Sequence, residues 1–127
     1  MEDGRKKTRS GIIITSSIKQ KASIGAGTQY EASKIFCSFL GEAVAYELEK
    51  ANSRVDLTIL SPGYVVTNLT RKMKKNCMFV TPKKCVYKTL IDLGRETETN
   101  GAMTHEIMGY LASVVMQHWL TLGFRSQ

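Results

Sequence analysis

The chain has 127 residues, 43% of them hydrophobic and 23% charged, which suits one globular domain and excludes two domains or a disordered chain. Its formal net charge is +7, and the excess lies in Arg5-Lys6-Lys7-Arg9, Lys19/Lys21 and Arg71-Lys72-Lys74-Lys75. These clusters suit solvated loops, a nucleotide phosphate or an anionic membrane, but no aromatic residues interleave them for base stacking, so nucleic acid is not an expected partner.

After a charged lead-in with no signal-peptide pattern, Gly11 to Ser16 contains three successive isoleucines and reads as a strand. Its lack of alternation predicts burial on both faces, as in a parallel sheet. Ile18 to Thr28 is a loop by its Lys, Ser and Gly content, with Thr28 placed to cap a helix that runs to about Ala51. Within that helix Ile35, Phe36, Phe39, Leu40, Ala43, Val44 and Leu48 recur at three- and four-residue steps. Gly41 interrupts it, and an interior glycine costs about 1 kcal/mol against Ala, so close packing is its expected reason.

Arg54 to Leu60 is a second strand, ended by Ser61-Pro62-Gly63. A basic, irregular stretch follows to Val80. Thr81-Pro82 opens a helix that carries Val86, Leu90 and Leu93 inward and ends near Gly94. Asn100-Gly101 is a turn, Ala102 to His105 a short strand, and Ile107 to Leu122 an apolar helix. His105 reads as a packed or hydrogen-bonded residue rather than a catalyst. The stretch Leu111 to Phe124 contains Gln117 and His118, too polar to cross a bilayer; Met116 and Trp119 in it read as core or membrane-surface contacts. Cys37, Cys77 and Cys85 are an odd set without CxxC spacing, so reduced thiols and no metal site are expected. The alternation of strands and helices implies an α/β unit with a parallel sheet.

The chemistry rests on Ser17, Tyr30 and Lys34. A hydroxyl, a phenol and an ammonium are what a carbonyl oxygen needs to be held and protonated while a hydride reaches its carbon. Ser17 closes a strand; Tyr30 and Lys34 are one helical turn apart on one face. An ammonium beside a phenol favours the phenolate. About one chain in five of this length carries Tyr-x-x-x-Lys by chance, so the pair alone decides nothing. Tyr46 and Lys50 repeat it, with Ser33 thirteen residues before Tyr46. Those three share a helix in which thirteen residues rise about 20 Å and cannot converge. Ser17 and Tyr30 are separated by a loop and can.

Ile12-Ile13-Ile14-Thr15-Ser16-Ser17, Tyr30-Glu31-Ala32-Ser33-Lys34 and Ser61-Pro62-Gly63-Tyr64-Val65-Val66-Thr67 together resemble the second half of a short-chain dehydrogenase/reductase. The resemblance implies the C-terminal half of a Rossmann-type, doubly wound parallel sheet. It also implies catalytic roles for Ser17, Tyr30 and Lys34. Tyr30, Lys34, Pro62, Gly63, Val65 and Thr67 would meet a nicotinamide cofactor. Thr81-Pro82, Gly94, Thr99-Asn100-Gly101, His105 and Met108-Gly109 resemble very-long-chain 3-oxoacyl-CoA reductases and related 17β-hydroxysteroid dehydrogenases. That likeness implies NADPH, an acyl-CoA or steroid ketone, and a cytosol-facing place at the endoplasmic reticulum membrane. In the family the long helix carrying Tyr30 joins a dimer interface, which implies a homodimer. The basic clusters and the amphipathic end of the chain motivate an alternative, a non-catalytic truncated form with peripheral membrane contact or pairing with a full-length homologue.

No glycine-rich turn follows a strand, for Gly25-Ala26-Gly27 is too short to cradle a pyrophosphate. Residues 1–127 are therefore expected to be a partial NAD(P)-binding domain without its Gly-rich half. The chain alone is expected to turn over little substrate, and its first strand to present an isoleucine-rich edge.

Overall fold

The computed structural model describes residues 8–21 and 27–123, with 20, 21, 116, 117 and 119–123 described in backbone only. The expectations placed on Arg5-Lys6-Lys7, on Gly25-Ala26, on Phe124 and on the side chains of Lys21, Met116, Gln117 and Trp119 lie outside the described residues.

Three parallel strands, β1 (Ser10–Thr15), β2 (Val55–Leu60) and β3 (Glu98–Thr99), lie in the order β1-β2-β3. Between them run α1 (Thr28–Lys50) and α2 (Pro82–Asp92), and α3 (Met103–Gly123) closes the fold. The register pairs Ile12 with Leu57 and Ile14 with Ile59, so these four share one face of the sheet. Helix α1 lies on that face. A Cβ on Gly41 would come within 2.7 Å of Ile59 Cγ1, which is why no side chain stands there. On the other face Leu60, Val80, Cys85 and Ala102 form a buried cluster, with Val65 packed against it.

Several expectations are corrected. Strand β1 is largely exposed instead of buried on both faces; α1 reaches one face only, and no further strand pairs with the outer edge of β1 among the described residues. Thr28 is the first helical residue, and Gly27 (φ 151°) takes the cap position without a side-chain bond. Helix α1 buries Glu31, Ser38 and Gly41 and leaves Phe36 and Phe39 65% and 70% exposed. Small residues on its inner face let the helix approach the sheet closely, whereas the bulky stripe has nothing over it. Helix α2 likewise buries Cys85, Thr89 and Asp92, while Val86 and Leu90 face outward. Thr81 does cap α2, accepting a bond from Lys84 N at 3.4 Å. The third strand is Glu98–Thr99, and Ala102 to His105 instead forms the entry to α3. The turn at Asn100-Gly101 is present, with Gly101 at φ 70°.

Candidate active site

Chain segments after β1 and β2 meet the first turn of α1 at the C-terminal ends of the strands. Ser16 N donates to Leu60 O at 2.7 Å, and Ile18 N to Pro62 O at 3.1 Å, so the two strand ends leave the sheet together. The buried Ser16 hydroxyl donates to Lys34 O at 2.8 Å and accepts from Ser38 Oγ at 2.9 Å. The strand end is thus fastened to the turn of α1 that carries Tyr30 and Lys34.

Ser17 and Tyr30 line one cleft of about 470 Å³ with Pro62, Gly63, Leu69 and Met108. Ser17 is buried and Tyr30 about half exposed. The Ser17 hydroxyl accepts from Lys19 N at 3.3 Å, which leaves its own proton for another acceptor. Lys34 Nζ lies 5.7 Å from the centroid of the Tyr30 ring and donates to Thr15 O at 3.1 Å. The cleft therefore brings Ser17 and Tyr30 together, while Lys34 stands outside its wall against the Tyr30 ring.

Val65 and Thr67 stand apart from the cleft wall. Val65 pairs with Val80 in a parallel bridge, and Thr67 is exposed, its N–H donating to Thr70 Oγ1 at 2.9 Å. Spacing gave no sign of Ser16 or Ser38 as organisers of this region, whereas His105 is packed and hydrogen-bonded as expected. Fully buried His105 sets Nδ1 3.2 Å from Asn100 O and Nε2 3.2 Å from Tyr64 O and Met78 O. Its ring also fills the space beside Gly63, where a Cβ would fall 2.8 Å from His105 Cδ2.

The internal repeat supplies a control. Lys50 Nζ lies 5.2 Å over the Tyr46 ring, much as Lys34 does over Tyr30. That pair sits beside a different cleft of about 610 Å³, lined by Arg9, Glu42, Tyr46, Asp56 and Glu96 at the N-terminal ends of the strands. Ser33, its would-be third member, instead donates to Tyr30 O at 2.7 Å. Ser53 and Thr97 also line that cleft, but it opens at the other ends of the strands and is walled by the acids Glu42, Glu49, Asp56 and Glu96, which sets it apart from the cleft of Ser17 and Tyr30.

Among known proteins, the family model described as short chain dehydrogenase matches residues 1–78. The chain belongs to the short chain dehydrogenases. It is 38% identical over 66 residues to the very-long-chain 3-oxoacyl-CoA reductase of Mycosarcoma maydis, covering 52% of this chain and 18% of that protein. It is 27% identical over 89 residues to very-long-chain 3-oxoacyl-CoA reductase-B of Danio rerio, covering 70% of this chain and 28% of that one. The aligned parts thus span under a third of these relatives. Among solved structures, a short chain dehydrogenase of Burkholderia cenocepacia in complex with NADP is 25% identical with a TM-score of 0.68, over 90% of this chain and 47% of that one. A 7β-hydroxysteroid dehydrogenase is 26% identical with a TM-score of 0.65, over 79% and 41%. A three-stranded parallel sheet flanked by helices is accordingly part of a Rossmann fold. No described helix is long and apolar enough to cross a membrane.

Proposed function

We propose that this chain supplies the catalytic half of an NADPH-dependent ketone reductase of lipid metabolism, acting on a 3-oxoacyl-CoA or a 17-keto steroid. The observation that carries the reading is Ser17 and Tyr30 on one cleft with Lys34 against the Tyr30 ring. Relatives named for 3-oxoacyl-CoA reduction support the first substrate class, and the 7β-hydroxysteroid dehydrogenase supports a steroid, with its reaction at carbon 7 and not 17. The NADP-bound relative supports the cofactor, and the likeness to the reductases favours the endoplasmic reticulum membrane.

The residues present fit the nicotinamide end of such a cofactor. Lys34 spends one N–H on Thr15 O, leaving two donors for ribose hydroxyls. Pro62-Gly63 offers a wall with little side chain; the resemblance gives the carboxamide to the Val65 backbone and the Thr67 hydroxyl, which stand beyond that wall. Among the described residues no glycine-rich turn receives a pyrophosphate. When bound, the cofactor supplies a hydride.

Ser17 donates a hydrogen bond, keeping its proton, to the substrate carbonyl oxygen, and its burial keeps water from competing for that bond. Tyr30 gives its phenolic proton to the same oxygen as negative charge builds there. The Lys34 ammonium, next to the ring, stabilises the phenolate left behind. Half-exposed Tyr30 can recover its proton from solvent.

The test is a chimaera in which residues 8–123 replace the matching segment of the Danio rerio relative. NADPH oxidation is followed with a 3-oxoacyl-CoA and with a 17-keto steroid. Turnover with one of them, lost by a factor of about 10² or more in Tyr30→Phe, is expected. A folded chimaera without turnover, or a fully active Tyr30→Phe, would overturn the reading.

A second reading is a non-catalytic module that pairs with a full-length homologue. The exposed Phe36, Phe39 and Leu40 of α1 favour it, since such a stripe is normally covered. Co-purification that Phe36→Ser/Phe39→Ser abolishes would support it, and a chain that never co-purifies would dismiss it.

A further inference from the structure

Between Val66 and Phe79 the chain leaves the core and returns to where it departed. Val66 N donates to Val80 O and Val80 N to Tyr64 O, both at 2.9 Å. The rings of Tyr64 and Phe79 stack with centroids 5.2 Å apart and planes 18° from parallel. His105 lies against carbonyls on both legs, those of Tyr64 and Met78. A loop closed this firmly at its neck presents its tip in a set direction, unlike a free linker.

Thr70 organises the tip. It is buried, and its hydroxyl donates to Val65 O at 2.7 Å and accepts from Thr67 N at 2.9 Å. Thr70 N bonds back to Thr67 O and Met73 N to Thr70 O, winding the tip into successive turns. With Thr70 turned in, its neighbour Leu69 is turned out and is 91% exposed. Met73 and Met78 are exposed near it, as are Arg71, Lys72, Lys74 and Lys75. Asn68 to Met78 carries these four cations and no acid. Among the described residues none of the four is paired with a carboxylate.

Unpaired cations interspersed with outward aliphatic side chains match an anionic bilayer surface. There, the aliphatic groups reach the acyl boundary while Lys and Arg face lipid phosphates. A nucleic acid would need stacking planes, which Leu69 and the methionines do not provide. We propose that the loop Asn68 to Met78 docks this chain on an anionic lipid surface, with Leu69 among the head groups and Arg71, Lys72, Lys74 and Lys75 against the phosphates. Leu69, Thr70 and Met73 also line the Ser17–Tyr30 cleft. Docking therefore sets the cleft against the lipid, where an apolar ketone concentrates. The docking itself needs no turnover, so it stands or falls separately from the reductase reading.

The full chain is sedimented with vesicles of phosphatidylcholine alone or with about 30% phosphatidylserine. It is expected to pellet with the anionic vesicles, far less with the neutral ones, and less as salt rises and screens the charges. Replacing Arg71, Lys72, Lys74 and Lys75 together by Gln lowers the affinity about tenfold or more. Leu69→Ser lowers it severalfold at unchanged charge. These side chains are exposed, so the variants keep their fold, checked by circular dichroism. Phe36→Ser/Phe39→Ser, on the uncovered stripe of α1, leaves lipid binding as it was. No pelleting with anionic vesicles, equal pelleting with both kinds, loop variants that bind like the parent, or a loss that follows Phe36 and Phe39 would each overturn the proposal.

Discussion

The Ser16 hydroxyl donates to the main-chain carbonyl of Lys34 at 2.8 Å, and through this bond the end of β1 is held to the helix that carries Tyr30 and Lys34. Its neighbour Ser17 faces the cleft instead. Two adjacent serines thus take two positions, one bonded inward to α1 and one lining the cleft.

Ser16→Ala removes the donor to Lys34 O, in a half-buried bond, and the acceptor for Ser38 Oγ, in a buried one. A loss of about 1–3 kcal/mol is expected, read from the urea midpoint. Ser17→Ala loses only an acceptor for Lys19 N at 3.3 Å, so a change below about 1 kcal/mol is expected. In the chimaera the order reverses, with Ser17→Ala the more damaging to carbonyl reduction. Equal effects of the two on stability would contradict this division.

Gly41→Ala sets helix propensity against packing. Propensity favours Ala by about 1 kcal/mol. The new Cβ would meet Ile59 Cγ1 at 2.7 Å and Cδ1 at 2.9 Å, and such overpacking costs about 1–3 kcal/mol. Ile59 is one of the most buried side chains and has little room to give, so a net loss is expected in thermal unfolding. A stabilised variant would show that α1 can lift off the sheet at little cost.

Gly63 and His105 are coupled. A Cβ at Gly63 would meet three atoms of the His105 ring, the nearest at 2.8 Å. The ring cannot step aside while it faces the carbonyls of Asn100, Tyr64 and Met78. Gly63→Ala is expected to cost about 1–3 kcal/mol in the parent and much less in a His105→Ala background. Additive losses in the double-mutant cycle would mean that the two residues act independently.

Asp92 predicts an acid response. Burial raises its carboxyl, but the bonds from Lys88 at 2.5 Å and Thr99 at 2.5 Å, with the charges of Lys88 and Arg95, outweigh burial and hold it below its ordinary value of 3.8. A depressed folded-state value stabilises the fold fully above the unfolded value, and that contribution is lost as pH falls through the folded one. Asp92→Asn is therefore expected to be less stable than the parent at pH 7, with the gap closing below about pH 3.8. The gap also narrows at high pH, where Lys88, raised chiefly by its bond to Asp92, gives up its proton. A gap that does not change with pH would dispose of this account.

Much of the fold was legible because local rules act over a few residues. Three successive isoleucines announced β1, the Thr-Pro pair announced the start of α2, and Ser-Pro-Gly announced the end of β2. The meeting of Ser17 and Tyr30 was legible too, since spacing together with strand-end placement separated Tyr30 from Tyr46. Periodicity misled where the question was which face is covered. Phe36 and Phe39 look like core and stand in water, while Glu31, Ser38, Thr89 and Asp92 look like surface and are buried.

By itself the sequence determined the order of strands and helices, their parallel sense and the meeting of Ser17 and Tyr30, because strand-forming runs, helical spacing and turn residues are written locally. Tertiary structure alone decided the rest. A helix pattern states that a face exists without stating what lies against it, and closest approach to a sheet selects small residues over bulky ones. The bond from Ser16 to Lys34, the seat of His105 beside Gly63 and the outward turn of Leu69 each depend on partners distant in sequence or on the packing they impose. Only the folded chain brings those together.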